Sequence, residues 1–331
     1  MTLQDQNAFL QTFLTGWYAE GGITVRTSGS TGTPKEIFLK KDQLERSARR
    51  TVKFFRLSKK SRLHSAVSFE FIGGKMMIAR SLVCNGNLTF EVPSLTPRLP
   101  DVEEIDLASM VPAQMPHVLS HLEDFSKVRN ILIGGSAVDD RLWDKLVASG
   151  LNIWESYAMT ETASHVAMRR VAGPSGARPH FVALSGVKIF PGPDNCICIE
   201  DEDIFVQTND IGIFYPDGSF EVKGRKDDVI ITGGIKVLPQ DIETIIRPHI
   251  SDIFPSFYIT SVPDELWTSR LIMKGVVAEE KRNLAPDEIK ASVRERLEAI
   301  PSEILPSKKR PKEIVIIDAI PLTPSGKLIR I

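Results

Sequence analysis

Three branched aliphatic residues, Ile131-Leu132-Ile133, run directly into Gly134-Gly135-Ser136-Ala137. No other junction in the chain constrains its fold as strongly. A short unbroken apolar run suits a strand covered on both faces, the situation inside a parallel sheet. Asp139 then offers a cap for a following helix. The pattern recurs at Asn152-Ile153-Trp154, which leads into Glu155-Ser156-Tyr157-Ala158-Met159-Thr160-Glu161-Thr162. Upstream, Ala66-Val67 precedes an apolar helix opened by Gly73-Gly74, and residues 108–111 precede Pro112 at a helix start. Strands alternating with helices predict an α/β fold with a mostly parallel sheet. Ligands of such sheets sit at the carboxyl ends of the strands. The glycines after Ile133 and the polar run after Trp154 are therefore expected to meet.

The chain has 331 residues, 42% of them hydrophobic, enough for a large core and about two domains. Its net charge is −1, which points to neither nucleic acid nor an anionic membrane. The first 19 residues mix polar and aromatic side chains, with no signal peptide, and no apolar run reaches membrane length. Three cysteines (Cys84, Cys196 and Cys198) are an odd, low number that suits a reducing compartment, so a cytoplasmic location is expected.

Near the start, Phe9, Phe13 and Trp17 fall at helical spacing before Gly21-Gly22. Asp42 is expected to cap a helix that carries Leu44, Ala48, Val52 and Phe55 on one face. Between these lies Thr27-Ser28-Gly29-Ser30-Thr31-Gly32-Thr33-Pro34-Lys35, a polar loop between two short apolar runs. Its glycines permit close backbone approach, its hydroxyls donate to anionic oxygens, and its lysine can offset phosphate charge. A Walker A loop needs Gly before its Lys and Ser or Thr after it. Pro34 and Glu36 stand there instead, leaving a phosphate loop of another kind or a flexible Ser/Gly turn.

Residues 174–220 read as antiparallel hairpins, punctuated by Pro191-Gly192-Pro193-Asp194-Asn195 and Tyr215-Pro216-Asp217-Gly218, with Asp210 just after the strand Ile204-Phe205-Val206. At Gly224-Arg225-Lys226-Asp227-Asp228 the pattern resets. A boundary there divides the chain into residues 1–226 and 227–331, the second a compact α+β domain with strands near 257–262, 273–278 and 314–317 and a helix over 286–300.

Taken in order, these pieces resemble the adenylate-forming family of acyl-CoA synthetases, luciferases and peptide-synthetase adenylation domains, over nearly the whole chain. Residues 27–35 match its phosphate loop, and residues 157–162 its aromatic-Gly-x-Thr-Glu motif with Ala158 in place of glycine. Thr208-Asn209-Asp210-Ile211-Gly212 is similar to its Thr-Gly-Asp motif, with Asn209 in place of glycine. Residues 224–228 match the hinge motif, and Pro324-Ser325-Gly326-Lys327 the C-terminal lysine motif. The resemblance implies a truncated form of the family fold, with a large N-terminal domain and a small mobile one hinged near Asp227. It implies ATP, Mg²⁺ and coenzyme A as reactants and cofactor. A carboxylate attacks the α-phosphate of ATP, and a thiol then displaces AMP.

The roles it implies are specific. Thr27, Ser28, Ser30, Thr31, Gly32 and Lys35 hold phosphates, Thr160 donates to the α-phosphate, and Glu161 holds the metal. Tyr157 lies along the adenine, opposite Gly134, Gly135, Ser136 and Ala137, while Asp210 and Arg225 take the ribose. Lys327 bridges the α-phosphate and the attacking carboxylate. A swivel about Asp227 withdraws it and presents Thr232, Gly233 and Gly234 for the thiol step.

Within the family, Met159-Thr160-Glu161-Thr162-Ala163-Ser164-His165 and Gly73-Gly74-Lys75-Met76-Met77 resemble the short bacterial o-succinylbenzoate–CoA ligases of menaquinone biosynthesis. The acid is then an aromatic dicarboxylate. Candidate pocket residues are Phe71, Gly73, Lys75, Ser164, His165 and Arg169, with His165 equally suited to a structural role. The expected partners are small molecules, without nucleic acid or a membrane span, and a homo-oligomer is compatible with this reading.

Overall fold

The computed structural model describes residues 1–26, 35–202, 204–323 and 328–330, with the side chain of Asp140 excepted. Thr27, Ser28, Ser30, Thr31, Gly32 and Lys327, all singled out in the sequence, lie outside the described residues.

Helix α1 (Leu3–Thr15) opens on a capping box in which Thr2 and Asp5 satisfy each other's backbone N–H groups. A short π-helical turn over Gly16–Glu20 continues it to Gly21, which ends the segment in the left-handed conformation. Strands β1 (Gly22–Arg26) and β2 (Glu36–Lys40) pair antiparallel and lead into α2 (Lys41–Phe54). Asp42 does not cap α2. Lys40 is the N-cap, its backbone N–H donates to the Gln43 side chain, and Asp42 sits in the first turn, where its charge favours the helix dipole.

Strand β3 (Arg62–Ser65) is followed by α3 (Ile72–Cys84) and β4 (Asn87–Phe90). Gly74 explains how closely α3 sits on the chain before it. A Cβ there would lie 2.1 Å from the Ser68 carbonyl oxygen, so only glycine fits. Gly73 has no such constraint, its nearest neighbour being a Val67 methyl at 3.9 Å. Next come β5 (Leu107–Met110), the short helices α4 (Met115–Ser120) and α5 (Leu122–Phe125), β6 (Ile131–Ile133) and α6 (Asp140–Val147). Asp139 caps α6 as its position predicts, accepting from the Leu142 N–H at 2.8 Å.

Three more strands, β7 (Ile153–Ala158), β8 (His165–Ala172) and β9 (Val182–Ala183), complete a seven-stranded sheet in the order β4-β3-β5-β6-β7-β8-β9. The pairs from β4 to β7 are parallel, and β8 and β9 add antiparallel strands at one side. Side-chain alternation divides the packing between the two faces. Ile131, Ile133 and Ile153 join Met115, Val118 and Leu146 of α4 and α6 in one cluster. Leu132 and Met168 face the other way, against Met77 and Cys84 of α3. This two-faced coverage explains why β6 reads as an unbroken apolar run.

Strands β10 (Lys188–Pro191), β11 (Cys196–Asp201), β12 (Ile204–Phe214) and β13 (Phe220–Arg225) form an antiparallel sheet in chain order. Asp210 lies inside β12 rather than beyond a short strand, because β12 continues through an irregularity in its pairing with β13 at Ile211 and Gly212. Phe181 and Phe220 join this sheet to the larger one through reciprocal backbone hydrogen bonds of 2.8 and 2.9 Å.

A hairpin of β14 (Ile230–Thr232) and β15 (Ile235–Val237) turns through Gly233 and Gly234, both at positive φ. Then follow α7 (Pro239–Ile250), β16 (Ser256–Asp264), β17 (Thr268–Val276), α8 (Pro286–Glu298) and β18 (Glu313–Ile316). Proline occupies the first turn of both helices, where its missing N–H costs nothing. The β16-β17-β18 sheet packs on α7 and α8 around its own apolar core, drawn from residues 230–316. No helix among the described residues is long and apolar enough to cross a membrane.

Candidate active site

Pairing of β6 with β7 sets Ile133 beside Glu155. Residues 134–137 therefore leave the sheet next to Ser156 and Tyr157, as the alternation of strands and helices predicts. Tyr157 is the last inward-facing residue of β7. It is the strand itself, and not a loop beyond it, that carries the ring. Gly134 lies close to the same strand: a Cβ there would lie 2.5 Å from Ser156 Oγ, so a larger residue would require the serine hydroxyl to turn away. Val138 N–H donates to Glu155 Oε1 at 3.1 Å, closing the 134–137 segment back onto β7.

The Tyr157 ring is 8% exposed and packs edge-on against Phe220, with centroids 5.5 Å apart. Its hydroxyl donates to Asp210 Oδ2 at 2.7 Å. Burial is the main cause of a strong upward shift of the phenol's pKa, and the neighbouring Asp210 carboxylate adds to it. Tyr157 therefore stays a donor throughout the physiological range. Asp210 is steadied by its own backbone, whose N–H donates to Thr208 Oγ1 at 3.0 Å. Arg225 donates to Asp210 Oδ1 at 3.3 Å and to Asp227 Oδ2 at 2.6 Å. Asn209 donates to both Asp227 oxygens at 3.1 Å. Tyr157, Asp210 and the Arg225–Asp227 pair, from three separate parts of the chain, thus form one hydrogen-bonded group.

Adjacent residues on either side of the 227–228 bond hold in opposite directions. Lys226 pairs with Asp194 at 2.7 Å, and Asp227 with Asn209 and Arg225, all towards the β10–β13 sheet. Asp228 instead accepts from Gln240 at 2.9 Å and faces Arg330 at 3.5 Å. Arg330 also reaches Glu243 of α7 and the Ile259 carbonyl of β16.

Thr160 and Glu161 follow β7, and Glu161 is exposed. The turn is closed by Ala163 N–H donating to the Thr160 carbonyl at 3.0 Å. Ala163 has a φ of 62°, unusual for a residue with a side chain. Among the described residues no cluster of three or more His, Cys, Asp or Glu side chains could hold a metal. The exposed Glu161 carboxylate is an oxygen donor of the kind that hard divalent cations take. The acceptor pair on Asp210 likewise suits two vicinal hydroxyls.

The acid-pocket candidates separate. Ser164 and His165 point inward, His165 at 2% exposure with Nε2 2.8 Å from Thr51 Oγ1. Arg169 is committed to Glu155, with two contacts of 2.8 and 2.7 Å to Oε2. Burial raises the Glu155 pKa, and the Arg169 charge opposes that rise. Lys75 is half-buried near the start of α3, close to Phe71 and Gly73, donates to the Glu70 carbonyl, and lies over the Phe9 ring. Burial lowers its pKa to about 8. Lys35 is exposed immediately before β2. Gly233 of the expected thiol-side loop packs against Trp267, whose carbonyl accepts from Gly233 N–H at 2.9 Å, and Thr232 beside it is buried.

Arg80 was missed in the sequence. Its signal is a lone charge in the apolar run Met76-Met77-Ile78-Ala79-Arg80 of α3. A cleft of about 190 Å³ lies elsewhere, bounded by Phe54, Trp154, Arg170 and Arg178, and neither Tyr157 nor Asp210 lines it.

Residues 26–212 match the family described as AMP-binding enzyme, and residues 240–327 match its C-terminal domain. A 2-succinylbenzoate–CoA ligase of Listeria monocytogenes is 28% identical, over 92% of this chain and 68% of its own length. An indoleacetate–CoA ligase of Aromatoleum aromaticum is 26% identical, over 91% and 64%. The chain therefore spans about two thirds of the length of these relatives. Among solved structures, the o-succinylbenzoate CoA synthetase from Bacillus subtilis in complex with an acyl-adenylate intermediate superposes with a TM-score of 0.73 at 20% identity, over 93% of this chain and 67% of that one. The family match covers more than half of the chain, and the fold agrees with it: the protein belongs to the AMP-binding enzymes, the adenylate-forming family to which acid–CoA ligases belong.

Proposed function

We propose that the protein uses ATP to convert a carboxylic acid to its acyl-adenylate and then transfers the acyl group to coenzyme A, releasing AMP, with o-succinylbenzoate as the acid. The observation that carries this reading is the convergence of Tyr157, Asp210 and Arg225 on one group beside the 134–137 segment. Asp210 accepts the ribose hydroxyls, Arg225 supports the same sugar, and Tyr157 orients the carboxylate and borders the base. Thr160 donates to the α-phosphate. Glu161 would hold Mg²⁺, which when bound offsets the charge of the phosphates.

Residues 1–226 form the nucleotide- and acid-binding unit in this reading, and residues 227–331 a unit that turns about Asp227. The opposed hydrogen bonds of Asp227 and Asp228 support a pivot between those two residues. The choice of acid is favoured by the 2-succinylbenzoate–CoA ligase relative and by the Thr162-Ala163-Ser164 stretch, and the indoleacetate–CoA ligase relative makes an arylacetate the competing choice. Of the pocket candidates, Lys75 has a cation that no acid neutralises in a direct pair among the described residues, and it is assigned to the second carboxylate.

Pyrophosphate release with ATP, Mg²⁺ and o-succinylbenzoate, with and without coenzyme A, tests the whole reading. Turnover that needs coenzyme A is expected. Faster turnover with indoleacetate would keep the adenylation chemistry and remove the assigned acid.

A further inference from the structure

Arg80 is 1% exposed on α3, and no carboxylate contacts it directly among the described residues. A buried guanidinium is costly unless its donors are used. Here Nη2 is spent on the segment that follows Glu161, while Nε is buried without a hydrogen-bond partner among the described residues. Nη2 donates to Ser164 Oγ at 2.9 Å and lies 3.3 Å from His165 Nδ1, while Nη1 lies 3.4 Å from the Met77 sulfur.

The protonation of this chain follows from its ends. Arginine can only donate, so Nδ1 of His165 is the acceptor and the ring carries its hydrogen on Nε2. Nε2 then donates to Thr51 Oγ1 at 2.8 Å, and Thr51 passes its own hydrogen to the Ser47 carbonyl at 3.3 Å. The histidine remains neutral because burial, and then the charges of Arg80 and Arg50, lower its pKa well below the usual value. The result is a one-directional chain from α3 through β8 to α2.

The turn carrying Thr160 and Glu161 is tied to the same place. Thr162 Oγ1 contacts the Ser164 carbonyl at 2.8 Å and the Met159 carbonyl at 3.1 Å. Ala163, between Thr162 and Ser164, holds a left-handed backbone that a residue with a Cβ adopts only when its surroundings impose it. Arg80 grips one shoulder of that turn, and Thr162 connects the two shoulders.

We propose that Arg80 is a positioning residue that, through Ser164 and His165, holds the 159–164 turn in the geometry that presents Thr160 and Glu161 to the nucleotide phosphates and their metal. The proposal rests on the adenylation reading for its effect on turnover, but its structural content can be measured independently.

The test is hydrogen exchange of full-length wild type, Arg80→Met and Arg80→Lys, followed by mass spectrometry and paired with adenylation kinetics. In Arg80→Met, amides of residues 159–165 are expected to exchange about tenfold faster, while those of β16 and β17 are unchanged. The rate of acyl-adenylate formation should fall about tenfold or more and require more Mg²⁺, while the dissociation constant of AMP stays within about twofold. Lysine, with one donor head in place of a fork, should restore only part of the protection. Ser164→Ala removes one bond without unburying a charge and should give the same local pattern, more weakly, if Arg80→Met does not fold. Unchanged protection at 159–165 in a folded variant overturns the proposal, as does a uniform rise in exchange across the molecule. A wild type without adenylation of any acid, but with the local exchange pattern intact, refutes the functional reading and leaves the hold of Arg80 on the turn standing.

Discussion

Tyr157 Oη and Asp210 Oδ2 stand 2.7 Å apart, although 53 positions separate them in the chain. The bond joins the parallel sheet to the antiparallel one at the place assigned to the ribose. Asp210→Ala should weaken AMP binding by about tenfold or more, equivalent to about 1.4 kcal/mol. Tyr157→Phe, which removes one hydrogen bond, should cost about 0.5–1.5 kcal/mol. Calorimetric titration with AMP reads both, and an unchanged affinity in Asp210→Ala would remove the ribose role.

Lys327→Ala should suppress adenylation by at least about a hundredfold while leaving thiolysis of supplied acyl-adenylate within about threefold. The two half-reactions are measured separately, by pyrophosphate exchange and by thioester formation. Equal loss of both would refute a lysine that serves the first step alone.

Lys75 supplies a pH signature. Its pKa is lowered to about 8 by burial, so the side chain is charged below that pH and neutral above it. KM for o-succinylbenzoate should therefore rise as pH passes through 8, whereas KM for benzoate should not. Lys75→Met should abolish the difference between the two acids. A parallel pH profile for both would remove Lys75 from the second carboxylate.

His165 supplies another, in stability. Its folded-state pKa is lowered, so below about 6.5 the unfolded chain takes up a proton that the folded chain does not. The stability held above that pH is lost as pH falls towards the folded value, by up to about 1.4 kcal/mol per pH unit for one proton. His165→Gln should flatten the slope between pH 6.5 and 5 in denaturant titrations. An identical slope in the variant would show that other groups set it.

The parallel sheet was legible because its strands announce themselves. Ile131-Leu132-Ile133 must be covered on both sides, and α4, α6, α2 and α3 cover it. The antiparallel segment and the small sheet were equally plain from turn residues and from prolines at helix starts. Asp42 was misjudged because the backbone enters α2 two residues earlier than its side chain suggests, with Gln43 supplying the bond. Asp210 was set outside its strand because a local preference for turns cannot reveal a pairing with Arg225 on the neighbouring strand. That Ser164 and His165 are buried and hydrogen-bonded was not legible, because polarity alone does not tell which way a side chain faces. Their orientation is decided by Arg80, 84 and 85 positions away.

The opposed grips of Asp227 and Asp228 carry a mechanical consequence. Rotation about the bonds between them leaves the Asn209 and Arg225 contacts on one side, and the Gln240 and Arg330 contacts on the other, as they are. The proposed swivel would then work as a bearing and not as a latch. Its barrier would be torsional, and added salt, which screens exposed ion pairs, should leave the rate of interconversion nearly unchanged.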